Sequence, residues 1–154
     1  MFSGIGGPEV AAAMLGWENV FHCEINEFGR KVLEYWFPNS ESYEDITKTD
    51  FRKFRGTIDV LTGGFPCQPF SIAGLRKGFE DARGTLFFNI ANIVNTKIEK
   101  GKKPKVLLLE NVKGLKNHMK GETMKTLLRI LKEDLHYEVR TEVLNAKYFG
   151  VPQN

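Results

Sequence analysis

The sequence holds few cysteines and no long apolar run, and each shortage removes a class of protein. Two cysteines, Cys23 and Cys67, among 154 residues make neither a disulfide framework nor a four-ligand zinc site, and they suit a reducing, cytosolic setting. No apolar stretch approaches the roughly 18–20 residues that cross a bilayer. The opening Met1-Phe2-Ser3-Gly4 lacks the basic start and apolar core of a signal peptide. There is no internal repeat, low-complexity tract or linker. What is present is an ordinary globular composition, 42 % hydrophobic and 27 % charged, with length enough for one domain and its own core. The formal net charge of +3 leans weakly toward a polyanionic partner. The basic segment Lys97 to Lys105 reads first as a solvated helix end and loop, with a charged contact surface as the alternative.

Helix-like and strand-like segments alternate along the chain. Pro8–Leu15 reads as a helix, with Pro8 suited to its first turn and Gly16 as its stop. Asn19–Glu24 reads as a strand, Glu27–Trp36 as a helix closed by Pro38, Glu41–Glu44 as a short strand and Ile58–Leu61 as another. Thr85–Glu99 repeats apolar residues at helical spacing through Leu86, Ile90, Ile93 and Val94. Lys105–Leu109 is a continuous apolar strand of the kind buried on both faces. Thr123–Leu131 reads as a helix and Tyr137–Leu144 as a strand. Such alternation predicts an α/β fold with a parallel sheet covered by helices, whose ligands sit beyond the carboxyl ends of the strands. Glu24, Asp45, the Gly63–Ser71 loop and Glu110 all fall on that rim.

Three of these features carry chemistry. Phe2-Ser3-Gly4-Ile5-Gly6-Gly7 precedes a helix, and its glycines permit a tight turn and close approach of a ligand. A dinucleotide fingerprint would carry a third glycine where Glu9 stands. An acid there repels pyrophosphate and tolerates a cationic ligand such as S-adenosylmethionine. Glu24, about twenty residues on, stands where an acid accepts from ribose hydroxyls in nucleotide-binding folds. A glycine run of this length also serves as a plain turn. The second feature, Gly63-Gly64-Phe65-Pro66-Cys67-Gln68-Pro69-Phe70-Ser71, holds Cys67 between two prolines that fix φ around it, which is how a reactive thiolate is presented; most other cysteines are buried and inert. The third is Glu110-Asn111-Val112. A carboxylate ending an apolar strand needs a partner or a task, and a cap or ion pair is the simpler use.

Taken together, these segments resemble the cytosine-C5 DNA methyltransferase family, across essentially the whole length. Phe2–Gly7 resembles the loop holding the cofactor's methionine part. Glu24 matches the ribose-binding acid, Asp45-Ile46 the adenine-holding pair, Gly64–Ser71 the catalytic cysteine motif and Glu110-Asn111-Val112 the catalytic glutamate motif. Gly78–Phe88 is also similar, and Leu144–Gln153 resembles the approach to a later arginine motif. The resemblance implies a Rossmann-like S-adenosylmethionine-dependent methyltransferase fold, with residues 1–154 as a single partial catalytic domain and double-stranded DNA as partner. Cys67 would attack C6 of a flipped cytosine and Glu110 would hold the base. Phe2, Gly4, Gly6, Gly7, Glu24, Ile25, Asp45, Ile46, Pro66 and Leu86 would line the S-adenosyl-L-methionine site. Ser71–Arg83 would be a loop closing over DNA, with Ser71, Arg76, Lys77 and Arg83 as DNA contacts. No metal is implied.

The family's first strand, last strand, target-recognition domain and final cofactor motif have no counterpart within these residues. The expectation is therefore a truncated fold, inactive alone, that is unstable or served by a complementary chain in a bacterial cytosol, with no membrane role. Two other readings share the motifs: a cofactor-binding module without chemistry, and the family's RNA-directed branch, although Phe65-Pro66-Cys67 is spelled as in the bacterial DNA-modifying branch.

Overall fold

The computed structural model describes residues 1–54, 56–66, 86–94 and 103–151. The chain divides into two compact units, Met1–Asn111 and Val112–Asn154. The first holds two parallel strand pairs. In one, β1 (Phe21–Cys23) pairs with β2 (Glu41–Tyr43), Phe21 opposite Glu41 and Cys23 opposite Tyr43. In the other, β3 (Val60–Gly63) pairs with β4 (Val106–Leu109), Val60 opposite Val106 and Gly63 opposite Leu109. Helices α1 (Gly7–Met14), α2 (Glu27–Trp36) and α3 (Leu86–Val94) complete the described elements of this unit.

The first residues join the two pairs at their carboxyl ends. The Met1 α-ammonium donates to the Thr62 carbonyl at 2.8 Å, and Gly64 N–H donates to the Met1 carbonyl at 3.3 Å. On the other side, Phe2 N–H donates to the Cys23 carbonyl at 2.9 Å. Buried backbone groups require partners, so this bridge fixes the glycine loop between the ends of β1 and β3. Phe2 itself adopts φ 55°, an uncommon conformation for a residue with a side chain.

Local chemistry explains the helix limits. Gly6, at φ 97°, caps α1, and Pro8 occupies its first turn. Gly16, at φ 73°, ends it as a left-handed glycine does. The Asn26 side chain accepts from Gly29 N–H at 3.0 Å and caps α2. The helix buries Gly29 and Leu33. Helix α3 buries Phe87, Phe88, Ile90, Ala91 and Val94; of the four residues whose spacing indicated the helix, Ile90 and Val94 are buried and Leu86 and Ile93 half-buried. Residues 95–102, which include most of the basic segment, lie outside the described residues.

Two expectations need correction. β4 is not buried on both faces: Val106 and Leu108 are 50 % and 61 % exposed. Side chains alternate across a strand, and no described element covers the face carrying these two. Tyr137–Leu144 forms no strand. Its alternating pattern suits a strand, but a strand exists only where a neighbour completes its ladder, and among the described residues none does.

The second unit consists of 3-10 turns at Lys113–Lys116 and His118–Gly121, α4 (Glu122–Arg129), a π turn at Ile130–Asp134 and a 3-10 turn at Ala146–Phe149. Leu115, Leu127, Ile130 and Leu135 form its buried apolar set. Met119 and Lys120 take left-handed φ values of 50° and 56° ahead of Gly121, at a cost of roughly 1–2 kcal/mol each for residues with a Cβ.

Two outcomes follow for stability. A Cβ on Gly29 would lie 2.6 Å from the Gly4 carbonyl oxygen and 3.2 Å from Glu24 Cγ. Overpacking costs about 1–3 kcal/mol against a helix-propensity gain of about 1 kcal/mol, and the clash here is with backbone. Gly29→Ala therefore lowers the urea midpoint, whereas Gly114→Ala, with nothing within 4 Å, leaves it nearly unchanged.

His22 is fully buried, its Nδ1 within 3.2 Å of Ser40 Oγ and its Nε2 without a partner. Burial pushes its pKa below the ordinary histidine value, so the unfolded chain binds the proton more readily than the folded one. Stability is then fully present above roughly pH 6.5 and falls below it, by at most about 1.4 kcal/mol per pH unit. Unfolding free energies between roughly pH 6.5 and 5.5 fall less steeply for His22→Gln than for the parent chain if this holds; equal slopes contradict it.

Candidate active site

The glycine loop is held by one carboxylate. Glu24, just past β1, accepts from Gly4 N–H through Oε2 at 2.7 Å and from Asn26 N–H through Oε1 at 2.8 Å. Each carboxylate oxygen has two acceptor sites, so both oxygens keep capacity for ligand hydroxyls. Gly29 lets α2 approach this clamp closely enough for the Gly4 carbonyl to rest on the helix backbone. Gly6 admits Leu33, whose Cδ2 stands 3.0 Å from where a Cβ would project. Gly4 and Gly7 are exposed. Beside the loop, the buried Ser3 Oγ and Glu9 Oε2 have no hydrogen-bond partner. Glu9 is only 4 % exposed, so its carboxyl group is closed off from solvent.

Asp45 ends β2 beside this clamp. Arg30 ties the two strand ends together, donating to the Glu24 carbonyl at 3.0 Å and standing 4.0 Å from the Glu44 carboxylate. Asp45 Oδ1 accepts from the Thr47 hydroxyl at 2.6 Å and from Thr47 N–H at 2.8 Å. Those bonds hold its carboxyl below the usual carboxylate range. Oδ2 faces the exposed Lys48 ammonium at 3.3 Å, a surface pair easily displaced. Ile46 is buried and Ile25 is 69 % exposed, so of these two apolar residues expected to line the cofactor site one is packed and the other open. Leu86 is half-buried at the start of α3. A cavity of about 210 Å³ lies between α3 and the segment after β2, lined by Ile46, Thr47, Phe51, Asn89 and Asn92 among others. Of the expected cofactor residues it touches only Ile46.

At the ends of β3 and β4, Glu110 meets the start of the glycine loop. Glu110 N–H donates to the Gly63 carbonyl at 2.9 Å. Its Oε2 lies 3.2 Å from where a Gly64 Cβ would stand, with the Phe2 carbonyl 3.9 Å from the same point. Only a residue without a Cβ leaves the carboxylate there unhindered. Asn111 Nδ2 donates to the Phe65 carbonyl at 2.7 Å, which ties the glutamate segment to the loop leading into Pro66. Pro66 is exposed.

The structure thus brings together Phe2, Gly4 and Glu24, and separately Phe2, Gly64 and Glu110, with Asp45 on the same rim. Cys67, Ser71, Arg76, Lys77 and Arg83, and the expected closing loop Ser71–Arg83, lie outside the described residues. Cys23 is the other thiol. It is buried, and burial pushes it up to about 11, so at neutral pH it behaves as a small apolar side chain. Sequence reasoning missed three positioning residues. A glycine inside a helix is costly, and that cost was the available sign of Gly29. Asn111 was legible only as part of its motif. Arg30 gave no sign, because pairing across strand ends depends on the fold. Among the described residues no three His, Cys, Asp or Glu side chains come together as metal ligands, and no described helix is long and apolar enough to cross a membrane.

Comparison with known proteins identifies the family. The family model "C-5 cytosine-specific DNA methylase" matches residues 1–154. The chain is 49 % identical to the Type II methyltransferase M.HpaII of Haemophilus parainfluenzae, over 100 % of this chain and 42 % of that protein. It is 48 % identical to the Type II methyltransferase M1.ScrFI of Lactococcus lactis subsp. cremoris, over 100 % of this chain and 38 % of that protein. Among solved structures, a DNMT2 mutant of Spodoptera frugiperda superposes with a TM-score of 0.60 at 27 % identity, over 86 % of this chain and 39 % of that one. The chain therefore spans less than half the length of these relatives and shares the fold of the Dnmt2 methyltransferases. With a family match running from the first residue to the last, the chain belongs to the C-5 cytosine-specific DNA methylase family.

Proposed function

We propose that these residues form the cofactor- and cytosine-binding part of a DNA cytosine-C5 methyltransferase, acting in the cytosol on double-stranded DNA. The observation that carries this reading is the convergence at Gly64: the Glu110 carboxylate stands over its open α-carbon, beside the carbonyl of Phe2 from the glycine loop. A cytosine-binding carboxylate and the cofactor loop must meet in that way for a methyl group to pass between them. The relatives are named Type II methyltransferases, and the matching family model is that of C-5 cytosine-specific DNA methylases, which supports the reading.

The residues fit S-adenosylmethionine. Glu24 and Asp45 offer carboxylate oxygens at adjacent strand ends, and the glycine loop presents exposed, Cβ-free backbone beside them. Buried polar atoms without partners, Ser3 Oγ and Glu9 Oε2, flank that loop, and acids suit a sulfonium better than a pyrophosphate. In this reading Glu24 holds the ribose, Asp45 holds the adenine edge, and Phe2, Ile25, Ile46, Pro66 and Leu86 supply apolar contact. Gly4, Gly6 and Gly7 admit the methionine part.

Cytosine C5 is a poor nucleophile, and the chain's own groups change that. The Cys67 thiolate adds to C6, forming a carbon–sulfur bond and moving the ring's electron pair toward N3. A proton held between the Glu110 carboxyl and N3 moves onto N3 as the charge develops there, while the other carboxyl oxygen accepts from the exocyclic amino group. C5 is then enamine-like. S-adenosylmethionine, when bound, supplies the methyl group as a sulfonium. A base removes the C5 proton, the ring electrons return and the Cys67 thiolate is expelled. Because C6 is inaccessible in a stacked duplex, the base must first be flipped out. Asn111 positions the cysteine loop through the Phe65 carbonyl. Ser71, Arg76, Lys77 and Arg83 are assigned to phosphate positioning, which carries no sequence information.

The test is covalent capture on a duplex bearing cytosine with fluorine at C5, which cannot leave as a proton. With S-adenosylmethionine and a complementary chain supplying the target-recognition region, the protein forms an adduct stable to denaturation, Cys67→Ser forms none and Cys23→Ser forms it normally. Adduct with Cys67→Ser, or loss of adduct with Cys23→Ser alone, contradicts the assignment. Glu110→Gln slows adduct formation by about 100-fold or more, read as the rate of gel-shifted protein; an unchanged rate removes Glu110 from the chemistry.

A further inference from the structure

We propose that Lys113, Lys116 and Lys120 form a contact surface for the phosphate backbone of double-stranded DNA. The proposal rests on the reading above that DNA is the substrate, and adds a surface in the second unit.

Lys113, Lys116 and Lys120, like Lys132, Arg140 and Lys147, are exposed and outside any ion pair among the described residues, and these three alone fall together in one acid-free segment, whereas the other described cations are paired or stand singly. Lys31, Lys48, Lys105 and Lys125 stand 2.7, 3.3, 2.6 and 2.8 Å from the carboxylates of Glu27, Asp45, Asp59 and Glu122. Arg52 stands 2.7 Å from Asp50, and Lys53 pairs with Glu41. Lys113, Lys116 and Lys120 are exposed, and among the described residues no carboxylate lies within ion-pair distance of any of them. Residues 113–121 contain these three lysines and no acid. Residues 112–154 carry eight Lys and Arg against five Asp and Glu, so the whole formal excess of the chain sits in this unit.

The backbone that carries the lysines is fixed. In a 3-10 helix side chains three apart eclipse, so Lys113 and Lys116 share one face of the Lys113–Lys116 turn while Leu115 is buried at 7 % exposure. His118 Nδ1 lies 2.7 Å from the hydroxyl of the fully buried Thr123. Three consecutive left-handed residues, Met119, Lys120 and Gly121, follow. Ammonium groups on a held backbone, without protein counterions, are the arrangement that gains most by neutralising phosphates and releasing the ions condensed on DNA. Lysine meets phosphate as a point charge and reads no base, so the surface strengthens binding without choosing a sequence.

Salt dependence separates a phosphate contact from a merely solvated face. Affinity of the protein for a short labelled duplex is measured by fluorescence anisotropy across a salt series. Each duplex phosphate contact contributes about 0.9 to the slope of log affinity against log salt. The triple variant Lys113→Ala, Lys116→Ala, Lys120→Ala is expected to lower that slope by about 2.7, and each single variant by about 0.9. The triple Lys→Arg variant keeps the slope, and Lys31→Ala and Lys125→Ala leave it unchanged. If the protein binds duplex and forms the covalent adduct while the triple alanine variant keeps the full slope, this surface is refuted and the functional reading stands. If the protein binds no duplex, both fall. A slope change seen only with folded RNA also overturns the proposal.

Discussion

Glu24 ends β1 with both carboxylate oxygens engaged, one by Gly4 N–H at 2.7 Å and one by Asn26 N–H at 2.8 Å. The rest of the site depends on this pair of hydrogen bonds. It fixes the glycine loop against the start of α2, and charge-assisted bonds of this kind are roughly twice as strong as neutral ones. Gly29 makes the arrangement sterically possible, and the Asn26 cap holds the turn from β1 into α2. The same acid that would hold a ligand thus first shapes the surface the ligand meets.

From that clamp the loop reaches the second strand pair. Met1 and Phe2 bond to β1 on one side and to the end of β3 on the other, which brings the loop beside Gly64 and Glu110. Two parallel pairs, each short, are joined at their carboxyl ends by a few backbone bonds. Ligand sites of α/β folds form at such ends because helix starts and loops converge there. In the proposed chemistry the cofactor acids lie at the ends of β1 and β2 and the base-binding acid at the end of β4, with the glycine loop bonded to the ends of β1 and β3 between them.

Much of this was legible in the sequence. The stop at Gly16, the turn at Pro8 and the apolar spacing of Leu86 to Val94 act through local sterics and periodicity, so they appear in the structure nearly where residue types place them. Strand positions were also legible to within two residues, because buried apolar runs are short and bounded by glycine, proline or acids. What failed depends on partners. Val106–Leu109 reads as doubly buried from its apolar run, yet Val106 and Leu108 are open to solvent, since a run of leucines does not say what covers each face. Tyr137–Leu144 alternates as a strand should and has no neighbour to pair with among the described residues. The acids of the candidate site were recognised by motif, whereas Gly29 and Arg30 act through contacts that only the folded chain creates.

In the function proposed above, the loop bridging β1 and β3 is the cofactor's cradle. Amide chemical-shift perturbation on adding S-adenosylhomocysteine tests this most directly. Saturable shifts concentrated at residues 2–7, 24–26, 45–47 and 64–66 are the predicted result. Saturable binding that leaves the Gly4 and Asn26 amides unmoved, with shifts centred on another part of the chain, would contradict it.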